Sequence, residues 1–64
     1  ELTPRELQII TLLSKGYYSK EIASELDINI TTVESYKERI KTKLGFDNII
    51  SVIVFAIKQG IINT

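Results

Sequence analysis

Sixty-four residues make one domain at most, and a core of that size supplies about 3–5 kcal/mol without a staple. The chain has no Cys and no His, which excludes a disulfide framework and a Cys/His zinc site and leaves helix packing or a partner to hold it together. Eight basic residues balance eight acidic ones, which argues against a strong nonspecific polyanion binder, and no apolar run approaches the ~20 residues of a membrane span, so a cytoplasmic domain is expected.

The punctuation predicts an all-α, four-helix chain. Thr3-Pro4-Arg5-Glu6 reads as a capping box with Pro at the first helical position, opening a first helix over about residues 4–15 with Ile9, Ile10, Leu12 and Leu13 at helical spacing. Gly16 followed by apolar Tyr17 is a stop of the Schellman kind. Ser19 is the expected cap of a short second helix, about 19–26, whose Ile22, Ala23 and Leu26 share a face and which ends at the polar turn Asp27-Ile28-Asn29. Asn29 is the expected cap of a third, about 30–44, in which Val33, Ile40 and Leu44 lie within a narrow arc, and Gly45-Phe46 closes it. Asn48 caps a fourth, about 48–59, stopped by Gly60. From Ile49 to Ile57 only Ser51 is not apolar, and a helix apolar all round is normally buried all round.

A short helix, a turn of about three residues and a longer helix make a helix-turn-helix, whose second helix enters the major groove of DNA. The third helix fits that task. Opposite Val33 its wheel carries Thr31, Glu34, Ser35, Glu38 and Thr42, groups able to meet base edges, and the basic residues flank them, with Lys37 and Lys41 on one side and Arg39 and Lys43 on the other beside Thr32 and Tyr36. Residues 31–45 hold four basic groups against Glu34 and Glu38, so the positive surplus of a neutral chain sits on this segment. A solvated charged surface is the plain competing explanation of the same stripe.

The chain as a whole resembles the LuxR-type (GerE-like) helix-turn-helix family, found as the output domain of NarL/FixJ-type response regulators and of quorum-sensing receptors. The resemblance rests on Leu2-Thr3-Pro4-Arg5-Glu6 with Leu12-Leu13 and Gly16, on Lys20-Glu21-Ile22-Ala23 with Leu26, on Thr32-Val33-Glu34, on Lys43-Leu44-Gly45, and on Ala56 with Gly60. It implies that the third helix is the recognition helix, with Glu34, Ser35 and Glu38 facing bases or neighbouring phosphates. Thr32, Tyr36, Lys37 and Lys41 would be backbone contacts, together with Ser19 and Lys20 at the start of the second helix. The sequence departs from the family pattern at Tyr36, where His is frequent, at Glu38, where a polar or basic residue is usual, and at Asp27, where Gly is usual. Asp tolerates the left-handed conformation better than most residues, so the turn is expected to survive.

The resemblance also implies a dimer through the fourth helix. Its apolar residues cannot all face one small core, and the expected outward set is Ile49, Ile53 and Val54, with Ile57 in the interface; Leu7 is a second off-face apolar residue. A homodimer would present two recognition helices about one helical turn of DNA apart, ~34 Å. The partners expected are double-stranded DNA, a second copy, and an N-terminal receiver or ligand-sensing part of a longer regulator, since the chain opens at Glu1 without Met. No cofactor and no metal are expected. Catalysis is disfavoured because His and Cys are absent and Glu34 and Glu38 sit on a convex helix with nothing to exclude water. The rival to DNA binding is a protein-interaction module that works through the apolar fourth helix.

Overall fold

The computed structural model describes residues 2–63; Glu1, from which a missing N-terminal part is read, lies outside them. Four helices follow one another, α1 (Pro4–Ser14), α2 (Ser19–Leu26), α3 (Ile30–Leu44) and α4 (Ile49–Lys58), with no strand among the described residues. The boundaries expected from the punctuation hold to within a residue. None of these helices is long and apolar enough to cross a membrane.

Three of the four helices, α1, α2 and α4, begin with a local side-chain hydrogen bond to a backbone amide that the helix itself leaves unpaired. The Thr3 hydroxyl accepts from the Glu6 amide at 3.2 Å, and the Glu6 carboxylate accepts from the Thr3 amide at 2.9 Å, so the expected capping box is formed. Asn48 Oδ1 accepts from the Ser51 amide at 2.8 Å, as expected of a cap. Ser19 is not the cap of α2. That position belongs to Tyr18, whose own amide donates to Glu21 Oε1 at 2.7 Å, and Ser19 is the first helical residue with its hydroxyl turned to α3. Asn29 does stand at the cap position of α3, but its side chain makes no capping hydrogen bond.

All four helices end alike. After α1 the Tyr17 amide reaches back to the Leu12 carbonyl at 3.1 Å and Gly16 to Leu13 at 3.0 Å, the crossed pair that defines the Schellman closure. The same pairing runs from Ile28 and Asp27 to Ala23 and Ser24 after α2, from Phe46 and Gly45 to Lys41 and Thr42 after α3, and from Ile61 and Gly60 to Ala56 and Ile57 after α4. The closure needs a left-handed residue, and in α2 that residue is Asp27, at φ 56° and ψ 49°. The turn therefore survives the departure from Gly.

α3 packs against the other three helices. The core is Ile9 and Ile10 of α1, Ile22 and Ala23 of α2, Val33 and Ile40 of α3, and Val52 and Ala56 of α4. Past Gly60 the chain folds back and buries Ile62 against it, and Phe46 meets Phe55 with ring centres 5.4 Å apart and tilted. Glu6 is buried as well, and its Oε1 accepts from Lys43 Nζ at 2.8 Å, a bond from α3 to α1. Burial works to raise the Glu6 pKa, but the Lys43 ammonium and the Thr3 amide outweigh it, and the carboxyl titrates below its ordinary value.

The face that α4 buries differs from the one expected. Val52 and Ala56 are fully enclosed, while Ile49 and Ile53, expected to point outward, are half-buried against the core. The outermost residue is Ile50, 66% exposed, followed along the helix by Val54 and Ile57. The reason is phase: α4 turns the Val52–Ala56 row toward α1 and α3, which carries Ile50, Val54 and Ile57 to the opposite side at i, i+4 and i+7.

Candidate nucleic-acid interface

A helix offers DNA a readable face only if the side chains opposite its buried row are short or polar and unencumbered. In α3 the buried row is Val33 and Ile40, and Thr31, Thr32, Glu34, Ser35, Glu38, Arg39 and Thr42 are exposed, as the wheel predicts. α2 lies against α3 through Ile22 and Ala23, and the Ser19 hydroxyl at its start meets Lys37 of α3. Lys20 is exposed and Ser19 half-buried.

Ser19, Glu34 and Lys37 form one network across the two helices. Lys37 Nζ donates to Ser19 Oγ at 3.0 Å and to Glu34 Oε2 at 3.4 Å. The polar Ser19 hydroxyl beside it, with the charges of Lys37 and Lys41, holds the Glu34 carboxyl below its ordinary pKa against the opposing effect of burial. One turn on, Lys41 Nζ sits 2.6 Å from Glu38 Oε2. Both lysines lie along the helix surface with their carboxylate partners outside them: the Lys37 and Lys41 side chains are 20% and 21% exposed, Glu34 and Glu38 55% and 72%.

On the other flank the Arg39 guanidinium stands 5.1 Å above the centre of the Tyr36 ring, which keeps the half-buried phenol and the cation together. Lys43, expected on that flank, is turned instead to Glu6 on α1. Spacing within one helix cannot reveal a contact made 37 positions away.

Two features outside the expected set are visible only in three dimensions. Tyr18 is 78% exposed at the start of α2, and with Ser19, Lys37, Ile49, Ile50 and Ile53 it borders a shallow recess that joins the α2–α3 surface to α4. The second is the place of Ile50, which joins the expected Val54 and Ile57 in one exposed apolar stripe along α4. Composition announced an excess of apolar surface on α4, but nothing in an all-apolar segment fixes which side of it faces water.

This arrangement of a two-turn helix, a turn at residues 27–29 and a long helix with a polar outer face has close counterparts. The solved structure of the response regulator ChrA, from a heme-sensing two-component system, superposes with a TM-score of 0.90 over 97% of this chain and 31% of that one, at 34% identity. The oxygen regulatory protein NreC of Staphylococcus aureus is 41% identical over 61 residues, in several strains. The match takes in 95% of this chain but only 28% of NreC, so the chain spans less than a third of the length of the curated relatives it matches. The family model described as bacterial regulatory proteins of the luxR family matches residues 1–56, and the chain belongs to that family of helix-turn-helix, DNA-binding regulatory domains.

Proposed function

We propose that this chain is the sequence-specific, double-stranded DNA-binding part of a bacterial transcriptional regulator, with α3 in the major groove and α4 pairing two copies. The observation that carries the reading is the exposed face of Thr31, Glu34, Ser35 and Glu38 on a helix held by α2 in helix-turn-helix order, with Lys37 and Lys41 beside it. Ser35 and the two glutamates supply hydrogen-bonding groups for base edges, and Ser19, Lys20, Thr32, Tyr36, Lys37 and Lys41 are assigned to the phosphates. The dimer face is the stripe of Ile50, Val54 and Ile57, with Ile49 and Ile53 at its half-buried margin. Two copies joined there double the contacts of a domain whose net charge is zero.

Similarity to NreC and ChrA supports placing the chain as the C-terminal output part of a cytoplasmic response regulator, downstream of a receiver or ligand-sensing part. The test is selection of bound duplexes from a random pool, followed by a salt titration on the winner and on a scrambled control. An enriched, roughly palindromic site whose affinity falls steeply with salt supports the reading. Binding that is absent at low salt, with self-association intact, favours the protein-interaction module instead. With the site in hand, Lys20→Ala is expected to weaken all duplexes about equally, whereas Glu34→Ala changes which base is preferred.

A further inference from the structure

The reading face carries an electrostatic inversion that DNA binding alone does not explain. A groove reader gains affinity by presenting cations to phosphates. Here the two lysines on the α2 side of α3 are about four-fifths covered, each ion-paired to a glutamate three positions earlier, and the glutamates are the groups that stand in solvent. An approaching duplex meets the carboxylates first. Of the other two basic residues in α3, Lys43 is committed to Glu6 and Arg39 lies over Tyr36 on the opposite flank.

Helix-surface pairs of this kind contribute little to folding, so stability is a weak reason for them. Their effect is on competition. A carboxylate within 2.6 Å of an ammonium occupies the position that a phosphate oxygen takes in a complex, and it carries the same charge. Glu38 already neutralises Lys41, so a phosphate draws on the full charge of that lysine only by displacing Glu38, which strands Glu38 beside a polyanion unless the DNA gives it a hydrogen-bond donor. In the major groove that donor is an exocyclic amino group, above all cytosine N4. At a site with such a group both exchanges are favourable; elsewhere the carboxylate is left unpaired among phosphates, a cost borne only by the wrong sequence.

Resting on the DNA-binding reading above, we infer that Glu38 is a phosphate surrogate that withholds Lys41 from unspecific DNA, so that it determines specificity by suppressing background binding and not by strengthening the correct complex. Glu34 plays the same part for Lys37, with Ser19 as a second holder of that lysine. The neutral charge of the chain then belongs to the mechanism of discrimination.

The experiment compares the affinity of wild type, Glu38→Gln, Lys41→Gln and the double variant for the selected duplex and for a scrambled one across a salt series. The expected result is that Glu38→Gln tightens scrambled-duplex binding about tenfold with little gain on the selected duplex, and that its salt slope on the scrambled duplex grows by about one. The gain must vanish when Lys41 is also replaced, since the surrogate acts by holding that lysine. A gain that persists without Lys41 is general repulsion and overturns the inference. So does an equal gain on both duplexes, or none. Glu38 is exposed, so circular dichroism of the variant should match wild type. If neither wild type nor any variant binds any duplex at low salt, the DNA reading itself has failed, a result distinct from binding without discrimination.

Discussion

Asp27 holds a backbone conformation that an L side chain resists. Its φ of 56° costs an ordinary residue about 1–2 kcal/mol, less for Asp, and glycine would be relieved of it at some expense in unfolded-chain entropy. Asp27→Gly is expected to stabilise the domain by roughly 0.5 kcal/mol, seen as a higher urea midpoint at unchanged slope. A second residue-scale effect belongs to Glu6. Its folded pKa is depressed below the ordinary value of 4.5, so the stability it contributes is fully present above that value and is lost as pH falls through the lower folded value. Glu6→Gln is expected to flatten the decline of stability below about pH 4.5. Denaturation curves for wild type and variant between neutral and acid pH measure the difference, and an unchanged slope would show that Glu6 titrates alike in both states. The sequence exposed only half of this residue: the Thr3–Glu6 box follows from spacing, whereas the bond to Lys43 depends on how α1 and α3 cross.

At the scale of the helices, much of the architecture is written in starts and stops. Gly16, Asp27-Ile28, Gly45 and Gly60 stand where the left-handed closures form, which is why the four boundaries are legible without knowledge of packing. Amphipathic α3 is legible for the same reason, since Val33 and Ile40 are apolar where their neighbours are not. The facing of α4 is not legible. With apolar residues on every side, its rotation is decided by fit against α1 and α3, and Ile50 ends outside while Ile53 ends half-covered. Ser19 illustrates a different limit: a good capping residue stands one position too late, and its hydroxyl accepts from Lys37 on α3. The seam between α2 and α3 depends on Ile22, which has no exposed surface. Ile22→Val is expected to cost about 1 kcal/mol, and Ile22→Ala about 2–5 kcal/mol, enough to unfold much of a domain this small. Thermal melts by circular dichroism check both, and two near-identical melts would mean that α2 is held by something else.

The molecule as a whole has two surfaces with different physics, one charged and salt-sensitive on α3, one apolar on α4. Ile50→Glu and Val54→Glu place a charge on exposed positions, and the expected outcome is a folded monomer with weakened DNA binding. Ile53→Glu, at a half-buried position, is expected to lose folding as well, because a carboxylate would enter the edge of the core. Sedimentation of the three variants, read beside their helicity, separates interface from core. Wild-type sedimentation as a monomer at concentrations where DNA is fully bound would remove the stripe from the assembly.

The connections between helices run only through residues 15–18, 27–29 and 45–48, and each opens on the same crossed pair of amide-to-carbonyl bonds. Connections this short leave little slack between one helix and the next. Whatever turns such a reader on or off is expected to act on how many copies stand side by side, so that its response to a signal is a matter of counting rather than of bending.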